Sequence, residues 1–214
     1  NISSGANVDV STAEIKFGYE NDVTSNGMIF NNVTVSCPGW FNAVDKMQIA
    51  GLAKFSGFNS VNGLMEVSGN VLLTNASQST STAILKFVGS NNQTLGANGG
   101  SGVFSNILVQ KSGGSLTVSD TIKLTQGLNW LSGTVNTSGS TFVFYGGSQT
   151  IDAEGFNFNN VQLNTQGSII LARPLKVDGD FTVTGINLIE GERVEVKGNY
   201  SSTNTFFWGN GVET

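Results

Sequence analysis

The chain has 214 residues, 28 of them glycine, with 12% charged and 38% hydrophobic residues. That apolar share is too high for a disordered chain. A net charge of −5 with ten dispersed basic residues argues against a nucleic-acid partner, and no apolar run nears the ~18 residues that span a bilayer.

Taken in chain order, the predicted elements are short strands separated by Gly, Asn, Ser and Thr. The first is an apolar pair at period two, Ile15/Phe17, ahead of Gly18. A second strand, FNNVTV, follows from Phe30 to Val35. Residues 37–62 open on Cys37-Pro38-Gly39-Trp40 and read as an inserted loop, within which Phe41 to Lys54 is the best helical candidate of the chain. A long polar turn runs from Asn75 to Thr82.

The first pattern then recurs. Leu85/Phe87 precede Gly89, and FSNILV runs from Phe104 to Val109. Phe142/Phe144 precede Gly146, and FNNVQL runs from Phe158 to Leu163. Phe206/Trp208 precede Gly209. Between these blocks, Lys111 to Gly127 matches Thr165 to Gly185 in its order of turns and strands. The repeats predict a single region, 1–214, with copies near 15–84, 85–141 and 142–205, at a mean spacing of about 64 residues.

A copy of that length is too long for one coil and suits three coils of about twenty residues. Alternation supports strands: Leu116, Val118, Ile122 and Leu124 point inward, while Thr117, Ser119, Thr121 and Lys123 face water. Val194 and Val196 alternate in the same way with Arg193, Glu195 and Lys197. The fold expected is all-β, a right-handed parallel β-helix (β-solenoid) of roughly ten coils. The alternative is a tandem β-sandwich, for which Asn26-Gly27, Asn62-Gly63, Asn98-Gly99 and Asn210-Gly211 supply hairpin signals.

FYGG (Phe144 to Gly147), FNNV (Phe30 to Val33, Phe158 to Val161) and GDFTV (Gly179 to Val183) resemble recurrent phrases of the β-helical repeat regions in large bacterial surface and adhesin-type proteins. The similarity covers most of Leu85 to Gly209. It implies a secreted or cell-surface, non-enzymatic stalk, filament or adhesin. The chain begins and ends inside a copy, which suggests continuation in a longer chain or end-to-end self-association.

Catalytic chemistry has few candidates. Histidine is absent and Cys37 is the single cysteine. These facts remove the commonest general base, a Ser-His-Asp triad, an internal disulfide and a thiolate metal cluster. Asp178/Asp180 and Glu190, Glu192 and Glu195 are the nearest thing to the paired carboxylates of a polysaccharide-degrading β-helix. Interleaved Lys176, Arg193 and Lys197 point instead to solvated strand faces. Calcium at Asp178/Asp180 or Glu20/Asp22 lacks the GGxGxD nonapeptide, so no cofactor or metal is expected.

Trp40, Phe41, Trp130, Tyr145, Tyr200 and Trp208 are the aromatics able to stack on a sugar. Trp40 and Phe41 stand out because they lie in the inserted loop, and they are the candidate contact for surface glycans or another partner. The expected function is an extracellular structural or adhesive solenoid without catalysis; the alternative is a carbohydrate-binding or polysaccharide-degrading β-helix.

Overall fold

A computed structural model describes residues 13–57, 60–74, 81–185 and 188–203, and the backbone of 207–208 and 212–213. It is all-β, a solenoid of about nine turns with no helix among the described residues. Among the described residues every strand pairing joins parallel strands, as between Glu14–Phe17 and Asn32–Val35 or between Ser168–Leu171 and Leu188–Gly191. Parallel pairing throughout rules out the tandem sandwich, whose hairpins are antiparallel. Asn26-Gly27 and Asn98-Gly99 instead take positive φ angles at tight turns between strands, a conformation that Asn and Gly tolerate.

Each turn lays down three strands in a fixed order, so stacked turns build three columns. The first column opens with Glu14–Phe17, Asn32–Val35, Ala53–Phe55 and Val71–Leu73. The second opens with Asn21–Val23, Trp40–Ala43 and Ser60–Asn62. The third opens with Ile29–Phe30, Met47–Ile49, Leu64–Val67 and Ile84–Phe87. In the middle of the chain Ser101–Val118 and Asp120–Asn136 run continuously around the corners and touch all three columns. The step from one turn to the next is typically 20 residues, as from Asn32 to Leu52, and reaches 24 from Asn70 to Thr94.

Period-two patterning sets the core. Leu116, Val118, Ile122, Leu124, Val194 and Val196 are buried as the alternation predicts, and their neighbours face outward. Register then aligns like with like along the axis. One ladder runs Met47, Met65, Leu85, Ile107, Leu128, Ile151 and Leu171. Another runs Ile122, Phe142, Val161 and Phe181. Phe142, Phe144, Phe156 and Phe158 pack ring against ring, with centroids 5.0 Å apart for Phe142 and Phe158.

The corners break the backbone ladder, and short polar side chains restore it. Asn32, Asn92 and Asn160 each use Oδ1 to accept a backbone N–H one turn further on, from Leu52 at 2.7 Å, Ser115 at 3.0 Å and Asp180 at 2.8 Å. Asp45 reaches one turn back, accepting from the N–H groups of Ser25 and Asn26 at 2.6 and 2.8 Å. Burial pushes its carboxyl up, but these hydrogen bonds outweigh burial and hold it below the ordinary value. An unpaired corner amide would cost more than such a bond supplies, which explains the Asn/Ser/Asp content of the turns.

Two sequence-level expectations change here. Residues 37–62 are not an inserted loop. They carry Trp40–Ala43, Met47–Ile49, Ala53–Phe55 and Ser60–Asn62, paired in register with the turns on both sides. Strands of three or four residues bounded by Pro38, Gly39 and Gly51 leave too little alternation to see, and the same strands replace the helical candidate at Phe41 to Lys54.

The aromatic pairs, in turn, do not mark one place on the solenoid. Ile15/Phe17 stand in the first column, Leu85/Phe87 in the third and Phe142/Phe144 in the second. Phe206 lies outside the described residues. The FNNV-type block is a corner: Phe30 and Phe158 end one strand and Asn32 and Asn160 begin the next, while between Phe104 and Asn106 the register shifts within one long strand. A three-sided coil offers three such corners, so the block recurs without returning to the same side.

Candidate functional site

Trp40 and Phe41 open one strand and so point opposite ways. Trp40 is 37% exposed, whereas Phe41 is fully buried with its ring 5.2 Å from that of Phe17. Only Trp40 is available to a partner. Along the same outer surface, Asn42 donates Nδ2–H to Asp22 Oδ1 at 2.9 Å, and Thr82 donates from N and Oγ1 to Asn62 Oδ1 at 3.1 and 2.9 Å. Of the other aromatics, Trp130 is partly buried and donates to Gly133 O at 3.0 Å, and Tyr200 stacks on Phe181 at 5.9 Å.

Asp178, Asp180 and Glu195 are held in structural contacts, whereas Glu190 and Glu192 are exposed. Asp178 pairs with Lys197 at 2.7 Å, and Glu195 with Arg193 at 2.7 Å. Asp180 Oδ1 accepts from Asn199 Nδ2 at 2.9 Å and from its backbone N–H at 3.4 Å. Among the described residues no group of three or more Cys, Asp or Glu is placed to hold a metal ion. Cys37 is buried, and burial pushes its thiol up from the ordinary value.

The repeated corner block ends in a position that pattern reading passes over. Two residues beyond Val35, Val109 and Leu163 stand Cys37, Lys111 and Thr165, and all three turn inward, with exposures of 0%, 2% and 0%. Lys111 is the unexpected member. Its ammonium donates to Asn91 O at 2.9 Å and to Gln93 Oε1, and burial depresses its pKa. Gln93 is itself buried and donates Nε2–H to Val67 O at 3.0 Å and Gly69 O at 2.6 Å. The signal available in the sequence is the phrase Gln-Thr-Leu/Ile, which follows the aromatic pair at Gln93 and again at Gln149.

A groove of about 580 Å³ lies at the corner after Phe144. It is lined by Tyr145, Ser148, Asn164, Gln166, Gly147 and Gly167, none of them charged at neutral pH. Burial pushes the Tyr145 phenol up, so it stays protonated there. A second, smaller groove of about 280 Å³ lies at the preceding corner, between Asn136, Ser138, Asn157, Asn159 and Asp178. These surfaces offer hydrogen-bond donors and acceptors, one aromatic ring and, in the smaller groove, the Asp178 carboxylate.

No family model, curated protein or solved structure matches the chain.

Proposed function

We propose that the chain is a non-catalytic structural segment of an extracellular stalk or filament, with adhesion as the service that it performs. The observation that carries this reading is the axial continuity of the core. Met47, Met65, Leu85, Ile107, Leu128, Ile151 and Leu171 form one ladder through successive turns, and corner side chains bond each turn to the next. Such a body is quasi-one-dimensional: stiffness comes from neighbouring turns, and the same stacking extends over any number of them. At ~4.8 Å per turn, the nine turns span roughly 43 Å. Partners fitting this reading are further turns of the same kind, or surface glycans met by the outer faces.

Electron microscopy of the native material is the test, with small-angle scattering on the 214-residue chain beside it. Rods of constant cross-section in scattering, and filaments or stalks in micrographs, are the expected result. Discrete globular particles, or release of reducing sugars from a polysaccharide by the purified chain, would overturn it.

A further inference from the structure

The corners after Phe87 and Phe144 are built on one template. Gly89 and Gly146 both take positive φ, 88° and 99°. Their carbonyls accept from Ser112 N at 3.1 Å and Gln166 N at 2.9 Å. Gln93 and Gln149 are buried in both, each donating Nε2–H to the strand one turn below, at Val67 O and Leu124 O. These matches make Lys111 and Thr165 equivalent, and Val88 equivalent to Tyr145.

What fills the two corners differs. After Phe87, three residues, Ser90, Asn91 and Asn92, separate the glycine from the glutamine, and Lys111 packs its ammonium against Gln93 Oε1. After Phe144, two residues, Gly147 and Ser148, make the same connection, and Thr165 bonds only as far as Gly167 O at 3.3 Å. Gln149 Oε1, in a side chain 3% exposed, has no hydrogen-bond partner. A shorter loop, a shorter inward side chain and an aromatic in place of valine accompany the groove beside Ser148. A Cβ on Gly147 would meet nothing within 4 Å, so the mouth is open.

The lining dictates the occupant. An aromatic ring beside Ser, Asn and Gln side chains, with no charge, matches a ligand that has apolar C–H faces and many neutral hydroxyls. It holds no Arg, Lys or helix N-terminus to compensate the charge of a phosphate or sulfate. A volume of about 580 Å³ lies within the range of small-ligand sites. We propose that the Tyr145 corner is a binding groove for a neutral saccharide, with the Tyr145 ring as stacking platform and Ser148, Asn164 and Gln166 as hydroxyl partners. This goes beyond the structural reading above and does not depend on it.

The test is a screen of neutral and acidic oligosaccharides against the full chain, followed by calorimetry on any hit. Neutral sugars are expected to bind with an affinity that salt leaves unchanged. Tyr145→Ala should weaken binding at least about tenfold and Tyr145→Phe much less, since the ring supplies the platform. Asn164→Asp, which keeps the shape and adds a charge, provides a second variant should Tyr145→Ala fold poorly. It should weaken binding while the thermal midpoint holds. Silence across neutral sugars, binding only of acidic sugars, or binding that survives Tyr145→Ala and Asn164→Asp but falls with Trp40→Ala would each overturn the proposal. None of these outcomes bears on the rod expected in scattering, so the two readings fail separately.

Discussion

The corner at Lys111 and the corner at Thr165 show how far a solenoid template constrains its contents. The positive-φ glycine, the hydrogen bond its carbonyl accepts and the buried glutamine are common to both. The inward residue is not: one corner buries an ammonium among neutral acceptors, and the other buries a hydroxyl and leaves Gln149 Oε1 unbonded. The interior of a corner is therefore a polar niche that the stacked turns tolerate, provided that the strands on either side keep their apolar ladders. Stability resides in those ladders; individuality resides in the niches.

The largest expected effect tests the first half of that statement. Phe87→Ala and Phe144→Ala remove equivalent rings, both buried at 0% exposure. Each should cost about 3–5 kcal/mol in denaturant unfolding. Phe144 also packs against the rings of Phe142 and Phe158, 6.4 and 6.3 Å away, so its loss should lie toward the upper end. A loss under about 1 kcal/mol at either site would mean that the corner, not the ladder, holds the turn.

Lys111 gives the next effect, and it depends on pH. Lys111→Met keeps the apolar stem but leaves Gln93 Oε1 without its donor, a loss of about 1–3 kcal/mol at neutral pH that Thr165→Val, with no ammonium to remove, should not reach. Burial places the folded-state pKa of Lys111 below the 10.5 of an ordinary lysine. Between those two values the unfolded chain binds more protons than the folded one, so stability rises with pH through that window. Lys111→Met should lack this alkaline rise in thermal melts. An identical rise in the variant would assign it to other groups.

Much of the fold was legible from residue pattern, because strand alternation is a local property. Leu116/Val118 and Ile122/Leu124 declared their faces directly. The period of the repeat was less accessible. FNNV encodes a corner, and a three-sided coil uses that corner at three places, so aligning Phe30, Phe104 and Phe158 gives copies that do not superpose turn on turn. The segment 37–62 hid its strands because each is too short to display alternation against Pro38, Gly39 and Gly51. Of the candidate contact pair, Trp40 is outside and Phe41 inside, as alternation within a strand demands and as a loop reading does not reveal. Lys111 was hidden for a different reason. A lysine beside Ser112, Gly113 and Gly114 reads as solvated turn, and its burial depends on Gln93, a residue one turn away.

The smallest effect is the exchange that would make the two corners alike. Thr165→Lys carries the Lys111 side chain to the equivalent place, where Gln149 Oε1 awaits a donor. One charge-assisted hydrogen bond is expected to offset most of the desolvation of the ammonium. The net change in stability should then lie within about 1 kcal/mol of zero. Differential scanning calorimetry measures it, and a crystal structure of the variant would show whether Nζ reaches Gln149. A loss of several kcal/mol would mean that the connection through Gly147 and Ser148, one residue shorter than its twin, leaves no path for the lysine stem. In that case loop length, rather than the identity of the inward residue, distinguishes the corners, and the individuality of each niche is set from outside the core.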